Sequence, residues 1–418
     1  MLDRTLQPPF VKSTSFQLPQ VAKARLSNDV QIIHLNNLQQ ELVKIEVVFN
    51  AGKWYDSKPE ASHFTVLMLD KGTQSMSARQ IAELFDLHGA HIELSSNFDF
   101  ASVSLYALSK HISKLYPIFL ELITTPSFDE TEFSLMKDHF IQGLKVKNEK
   151  TSYLSSKLIR EKIFGSSHPY GQSPNEEEVN KLSTSDLSSF FKIRIKPSHV
   201  FILGKIESDD LDILKHTLSS IDTQVQPPSD FHSTGKPGDV SYVEKKGSVQ
   251  SSIRLGKRTL QRDHVDYPGL LILNYYLGGY FGSRLMKNLR EKKGLTYGIS
   301  SSINSLKNDS ILLIGTDVNK ENRELAINEI MKEIDLLHTS IDVEELELAK
   351  RHFIGSLQGE MASPFSILGK IKNIELHQLS DTYYQILIKK IDSVSSQDLL
   401  QLAEAHFSKD SFLEVSVG

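Results

Sequence analysis

Gly89-Ala90-His91-Ile92-Glu93-Leu94-Ser95-Ser96 in the first half of the chain and Gly294-Leu295-Thr296-Tyr297-Gly298-Ile299-Ser300-Ser301 in the second align 205 residues apart. Reading them as one motif written twice decides the fold. Two further matches lie in the same order. Asp129 with Met136-Lys137-Asp138-His139-Phe140-Ile141 aligns with Asp342 and Ala349-Lys350-Arg351-His352-Phe353-Ile354, here 213 residues apart. Ser185-Asp186-Leu187 followed by Val200 to Gly204 aligns with Gln397-Asp398-Leu399 followed by Phe412 to Gly418. One such match arises by chance, whereas three in one order imply a duplicated domain with a small insertion in the second copy.

The segment between the copies is different in kind. Gln226-Pro227-Pro228-Ser229-Asp230 through Thr234-Gly235-Lys236-Pro237-Gly238 is rich in Pro, Gly and polar residues without periodicity, the pattern of an exposed linker. Residues 1–225 are expected to form the first domain, 226–238 the linker and 239–418 the second. Within the copies, Val43, Ile45, Val47 and Phe49 alternate with more polar neighbours as a half-buried strand does, and Val103, Leu105 and Ala107 do the same. Ile112, Leu115, Phe119 and Leu122 recur at helical spacing, Asp129 suits the N-cap of a long helix, and Leu325 to Leu337 is again helical. Strands fall in adjacent pairs rather than alternating with helices. The expected fold is α+β: two homologous domains, each a mainly antiparallel sheet with helices packed on one face.

Of the 418 residues, 24% are charged and 39% hydrophobic, a globular balance with material for real cores. The net charge of −5 offers no basic field for nucleic acid or an anionic membrane, and neither is expected as a partner. No run approaches the roughly 20 apolar residues of a membrane span. Met1 to Phe10 has no apolar core of signal-peptide length, so the cytoplasm is the expected location, with the periplasm as the alternative if a leader has been removed. The chain has no cysteine, which excludes disulfide scaffolds, thiolate zinc sites, iron–sulfur clusters and cysteine nucleophiles. Any metal would need His and carboxylate ligands.

Fifteen histidines invite a search for such ligands. His88 and His91 flank Gly89, where a helical pattern gives way to a strand, and are better read as capping or surface groups than as a ligand pair. His139 and His352 occupy equivalent repeat positions and read as structural residues in helix interiors. Gly278-Gly279-Tyr280-Phe281-Gly282-Ser283 lacks the preceding strand and the Gly-Lys-Ser/Thr ending of a phosphate cradle, and reads as a hinge between two helices.

Glu60-Ala61-Ser62-His63-Phe64-Thr65-Val66-Leu67-Met68-Leu69-Asp70-Lys71-Gly72-Thr73 resembles the helix bearing the inverted zinc motif, H-x-x-E-H, of the pitrilysin/insulinase family of metallopeptidases. In that motif two His ligate zinc, the intervening Glu activates the metal-bound water, and a distal Glu completes the protein ligands. Here His63 is present, but the general-base position is Val66 and the second ligand position is Leu67. Counting back from the family-like His168-Pro169-Tyr170-Gly171 puts the distal ligand at Leu144, and the following carboxylate, Glu149, lies more than a helical turn away. One histidine cannot hold a catalytic zinc. The resemblance therefore implies no metal in this chain and a vacated site filled by apolar side chains that simply pack.

In the second half, Gly279-Tyr280-Phe281-Gly282-Ser283-Arg284-Leu285-Met286-Lys287-Asn288-Leu289-Arg290-Glu291-Lys292-Lys293-Gly294-Leu295-Thr296-Tyr297 is similar to the same family's signature S-R-L-x-x-x-L-R-E-x-x-G-L-x-Y. There an Arg and a Tyr face the zinc site across a chamber, bind the substrate backbone and stabilise the tetrahedral intermediate. They carry over to Arg290 and Tyr297. The residues allow it: Leu285 and Leu289 bury one face of a helix, Gly294 ends it, and Tyr297 on the following strand can bring its tip toward that of Arg290. A guanidinium and a phenol are suitable donors for an oxyanion.

The resemblance implies the non-zinc subunit of a heterodimeric metalloendopeptidase, with Arg290 and Tyr297 acting in trans to a zinc-bearing homologue on unfolded peptides. Zinc is then expected in the partner and no cofactor in this chain, with a homodimer as the alternative assembly in isolation. A rival reading is a non-catalytic structural or peptide-binding subunit, like the family's core proteins in respiratory complexes. A self-sufficient peptidase with a relocated site is a third, disfavoured because no alternative ligand cluster is apparent.

Overall fold

A computed structural model describes residues 16–36, 41–225 and 230–418. The first copy contains strands β1 (Ala22–Arg25), β2 (Gln31–Leu35), β3 (Leu42–Phe49), β4 (His91–Ser96), β5 (Ala101–Leu108) and β6 (Pro197–Leu203). Its helices are α1 (Ala61–Leu67), α2 (Ala78–Leu87), α3 (Ile112–Thr124), α4 (Glu130–Asn148), α5 (Thr151–Phe164), α6 (Glu176–Lys181), α7 (Thr184–Arg194) and α8 (Ser208–Ser219). The second copy contains β7 (Val240–Val243), β8 (Gln250–Arg258), β9 (Ile299–Ser305), β10 (Ser310–Asn319) and β11 (Leu413–Val417), with α9 (Tyr267–Asn274), α10 (Arg323–Leu336), α11 (Val343–Gly359), α12 (Pro364–Leu376), α13 (Tyr383–Ser393) and α14 (Ser396–His406).

Sheet order gives the duplication a geometric form. Among the described residues one sheet runs β1-β2-β6-β3-β5-β4 and the other β7-β11-β8-β10-β9. Apart from the extra edge strand β1 the orders are the same, and the one parallel neighbour pair recurs, β2 with β6 and β11 with β7. The matched sequences lie at matched places. Gly89 and Gly294 both end helices with left-handed backbone, φ +58° and +63°, in open space where nothing would meet a Cβ. Conformation, not crowding, selects glycine there. Asp129 and Asp342 both cap their helices, accepting from Glu132 N at 3.0 Å and Glu345 N at 2.8 Å. Ser183 with Asp186 and Ser395 with Asp398 both close capping boxes.

Each sheet has a core on one face, as the alternation predicts. Val43, Ile45, Val47 and Phe49 join Val103, Leu105 and Ala107 beneath α1, α3 and α7, and Ile253 and Leu255 join Leu312 and Ile314 in the second copy. The opposite faces are covered as well, by an exchange. α12 lays Ile367, Leu368 and Ile371 on Ile33, Leu35, Val48 and Phe201 of the first sheet. α5 lays Ile159 and Ile163 against Ile311, Leu413 and Val415 of the second.

The exchange buries a charge that the strand pattern assigns to solvent. Glu46 of β3 is 4% exposed and pairs with Lys44 at 2.9 Å and with Lys372 of α12. Burial alone would raise its carboxyl, but the ammoniums of Lys372 and Lys44 outweigh it and hold the group below the ordinary carboxylate range. The described part of the linker is largely exposed yet pinned. Thr234 N donates to Phe164 O at 3.1 Å, and Phe231 packs edge-on to Trp54 at 5.1 Å. Residues 226–229 of the expected linker lie outside the described residues.

Candidate functional site

α1 is a seven-residue helix whose amino end is capped from upstream. Glu60, at its N-cap, has φ +67° and makes no side-chain cap. Instead Asp56 accepts from Glu60 N at 3.1 Å and Ser62 N at 2.7 Å, while Glu60 pairs with Lys53 at 2.8 Å. Burial pushes the Asp56 carboxyl up to about 7 against the pull of the Ser62 hydrogen bonds.

The helix presents His63, Val66 and Leu67, the positions expected to form a degenerate zinc site. Val66 is fully buried in the first core. Leu67 is half-buried, and Leu144 on α4 is 5% exposed. Phe140, one turn before Leu144, packs on His63 with ring centres 5.3 Å apart and on Phe64 at 5.0 Å, and Phe133 closes on Phe64 at 5.6 Å. The α1–α4 contact is thus a ring cluster with one imidazole in it. Burial leads the effects that lower the His63 pKa, with Lys53 and Lys147 acting in the same direction and Glu60 opposing. A neutral imidazole among phenyl rings is a packing group as it stands. Glu149 is exposed at the end of α4 and pairs with Lys245 of the second copy at 2.9 Å. No cluster of three or more His, Cys, Asp or Glu suited to a metal occurs among the described residues.

The other histidines singled out in the sequence have plain roles. His88 caps α2, its Nδ1 2.9 Å from Leu84 O, and His91 is exposed on the edge strand β4. His139 and His352 lie within helices but on solvent faces rather than in the interior. His352 Nδ1 meets Tyr275 Oη at 2.7 Å, beside Tyr280. The glycine-rich loop does join two helical segments. A Cβ on Gly278 would come within 2.8 Å of Ser301 Cβ, so this loop lies hard against β9.

Beyond that loop, Ser283 to Lys293 winds into a helix whose part Met286–Lys292 has the wider π pattern. Leu285 and Leu289 are fully buried, as their spacing predicts. Its polar side is held by charge. Arg284 pairs with the buried Glu333 of α10 at 2.9 Å, Asn288 donates to Glu333 at 2.9 Å and Glu329 at 3.0 Å, and Lys287 pairs with Glu345 at 2.7 Å. Arg290 emerges from this helix with its guanidinium 4.6 Å from the centre of the Phe281 ring. Tyr297 lies in the loop two residues before β9, not on the strand, and is 91% exposed. The ring that Arg290 lies over belongs to Phe281, itself 59% exposed, and not to Tyr297. Sequence reading missed Phe281. Its signal was an aromatic residue at the tip of the glycine-rich loop, nine positions before Arg290. Phe281 and Tyr297 are thus exposed and Arg290 half-buried, on a helix whose base is anchored by ion pairs.

The sequence profile for insulinase (peptidase family M16) matches residues 31–168, and that for the peptidase M16 inactive domain matches residues 181–353. The "uncharacterized zinc protease YmxG" of Bacillus subtilis is 26% identical over 398 residues, covering 92% of this chain and 95% of that protein. The "non-peptidase homolog YmxG" of Helicobacter pylori is 22% identical over 398 residues, covering 90% and 89%. The crystal structure of a peptidase M16 inactive domain from Pseudomonas fluorescens superposes with a TM-score of 0.87 at 21% identity, over 96% of this chain and 98% of that one.

Proposed function

We propose a function from one premise: the chain belongs to the insulinase family, peptidase M16. In our reading it is the non-zinc subunit of a two-chain metalloendopeptidase. It lends Arg290 and Tyr297 to the active site of a zinc-bearing homologue that cleaves unfolded peptides. The observation that carries this reading is the exposure of Phe281, over whose ring Arg290 lies, and of Tyr297 in the loop that follows the same well-packed helix. An aromatic, Arg-centred surface is the composition of an interface hot spot. Closed over by a partner, the guanidinium and the phenol would lose water and act more strongly on a developing oxyanion. The apolar filling at Val66, Leu67 and Leu144 supports the assignment of zinc chemistry to the other chain.

Co-expression with a family member that retains H-x-x-E-H tests this reading. The pair should co-purify with one zinc per heterodimer and cleave an unfolded peptide, while this chain alone does neither. Arg290→Ala or Tyr297→Phe should lower kcat of the pair on the order of 100-fold, the effect of removing one oxyanion donor. A pair that forms and cleaves equally well with both substitutions would instead make this chain a structural or peptide-holding subunit. Zinc-dependent turnover by the isolated chain would refute the assignment altogether.

A further inference from the structure

The copies differ sharply at the joint between them. Matching the repeat by sheet register places the turn 97–100 between β4 and β5 on the turn 306–309 between β9 and β10. It places the segment 52–54 after β3 on 262–264 after β8. The offset that relates the Asp129 and Asp342 caps places the end of α5, Phe164-Gly165, on the end of α12, His377-Gln378.

In the first copy the space among these three pieces is filled with rings. Trp54 packs on Tyr170 at 4.8 Å and on His168 at 5.5 Å, Phe164 stacks on His168 at 5.0 Å, and Phe98 meets Tyr170 at 5.5 Å. In the second copy the same space is a cavity of about 380 Å³ whose walls include Arg262, Asp263, Lys307, His377 and Gln378. His377 stands where the buried Phe164 stands in the first copy.

The two cations there are satisfied by neutral groups. Arg262 donates to Asn373 Oδ1 at 2.5 Å and Ser305 O at 3.1 Å, and Lys307 Nζ donates to Asn50 Oδ1 at 2.9 Å. Neither is in an ion pair among the described residues. Gln378 has φ +52°, a left-handed conformation that its counterpart Gly165, φ +102°, adopts without a side chain. Keeping a side chain at such a position costs conformational energy, and strain of this kind gathers at binding sites.

We propose that this cavity is a binding site for a small oxyanion, a carboxylate or phosphate group, held between Arg262, Lys307 and His377. The site is independent of the Arg290–Tyr297 surface and of any partner chain. The charges around His377 shape how it binds. Burial first, then Arg262 and Lys307, hold the imidazole neutral with its pKa down at about 4, while Asp263 lines the same cavity and Asp99 faces Lys307 from the first copy. An anion between the cations offsets their field, so the imidazole takes up a proton and donates to the anion. Affinity therefore rises as pH falls.

Isothermal titration of the full chain tests the site. The probes are inorganic sulfate, a phosphate mimic of constant charge, and acetyl-alanyl-alanine with a free or an amidated C-terminus. Saturable binding of sulfate alone assigns a phosphate-type ligand, and binding of the free but not the amidated peptide assigns a carboxylate. Either should be about tenfold tighter near pH 5.5 than near pH 7.5. Arg262→Gln or Lys307→Met should weaken binding at least about tenfold, and His377→Phe, which installs the residue of the first copy, should remove the pH dependence. If Lys307→Met does not fold, Arg262→Gln decides alone. No saturable binding of any probe up to about 20 mM, binding unchanged in Arg262→Gln, or a pH dependence that survives His377→Phe would overturn the proposal.

Discussion

In the first copy, α1 carries Val66 sealed in the core and His63 against Phe140. In the second, the helix through Arg290 and the loop after it leave Tyr297 at the surface and Arg290 lying over Phe281. The two stretches sit in copies of one fold with the same sheet order. One is filled by packing, and the other carries a half-buried Arg290 and an exposed Tyr297 on a tightly anchored base. Chemistry can be lost from a fold at no cost to its core when apolar side chains take the place of polar ones. A half-buried guanidinium lying over an exposed ring and a phenol in solvent contribute little to folding.

Substitutions at the two stretches should separate most at the extremes of burial. Val66→Glu puts a carboxylate into a core with no partner and should cost about 4 kcal/mol or leave the chain unfolded, whereas Tyr297→Ala should cost less than about 0.5 kcal/mol. Urea unfolding of both variants checks this, and similar values would erase the distinction. Next comes the charged anchoring of the second copy. Glu333→Ala takes the carboxylate from Arg284 and one of two acceptors from Asn288, and should cost about 3 kcal/mol by the same measurement.

Equivalence between the copies has its own test. Asp129→Ala and Asp342→Ala remove corresponding caps and should each cost about 1 kcal/mol in thermal unfolding, with values that match. The smallest effect concerns His63, whose folded pKa lies below its unfolded value. Its neutral form is favoured in the fold, so its contribution is full above the unfolded value of about 6.5 and is lost as pH falls through that value toward the lower folded one. His63→Phe should flatten that part of the stability–pH curve. An unchanged slope would show that His63 is not held neutral by burial.

Particular residues show why some of this was legible in sequence. The cap at Asp129, its repeat match Asp342 and the helix ends at Gly89 and Gly294 depend on backbone groups a few residues away, so local spacing reveals them. Buried alternation in β3 and β5 was readable for the same reason. Glu46 was not. It sits on the strand face that alternation assigns to water, and only the arrival of α12, more than 300 residues on, buries it and supplies Lys372. The position of Tyr297 was misjudged by two residues because the loop after Gly294 runs on before β9 begins. Phe281 gained its place beside Arg290 only when the loop folded against its helix.

The sequence by itself determined that one domain is written twice, where several of its helices begin or end, and which residue types stand at the zinc-motif and Arg/Tyr positions. These are short-range properties, carried by periodicity and by capping groups adjacent in the chain. The tertiary structure decided that each copy covers the other's sheet, and that the joint is filled by rings on one side and lined by Arg262, Lys307 and His377 on the other. Those outcomes depend on which faces meet across long stretches of chain, and packing between distant segments leaves no local pattern to read.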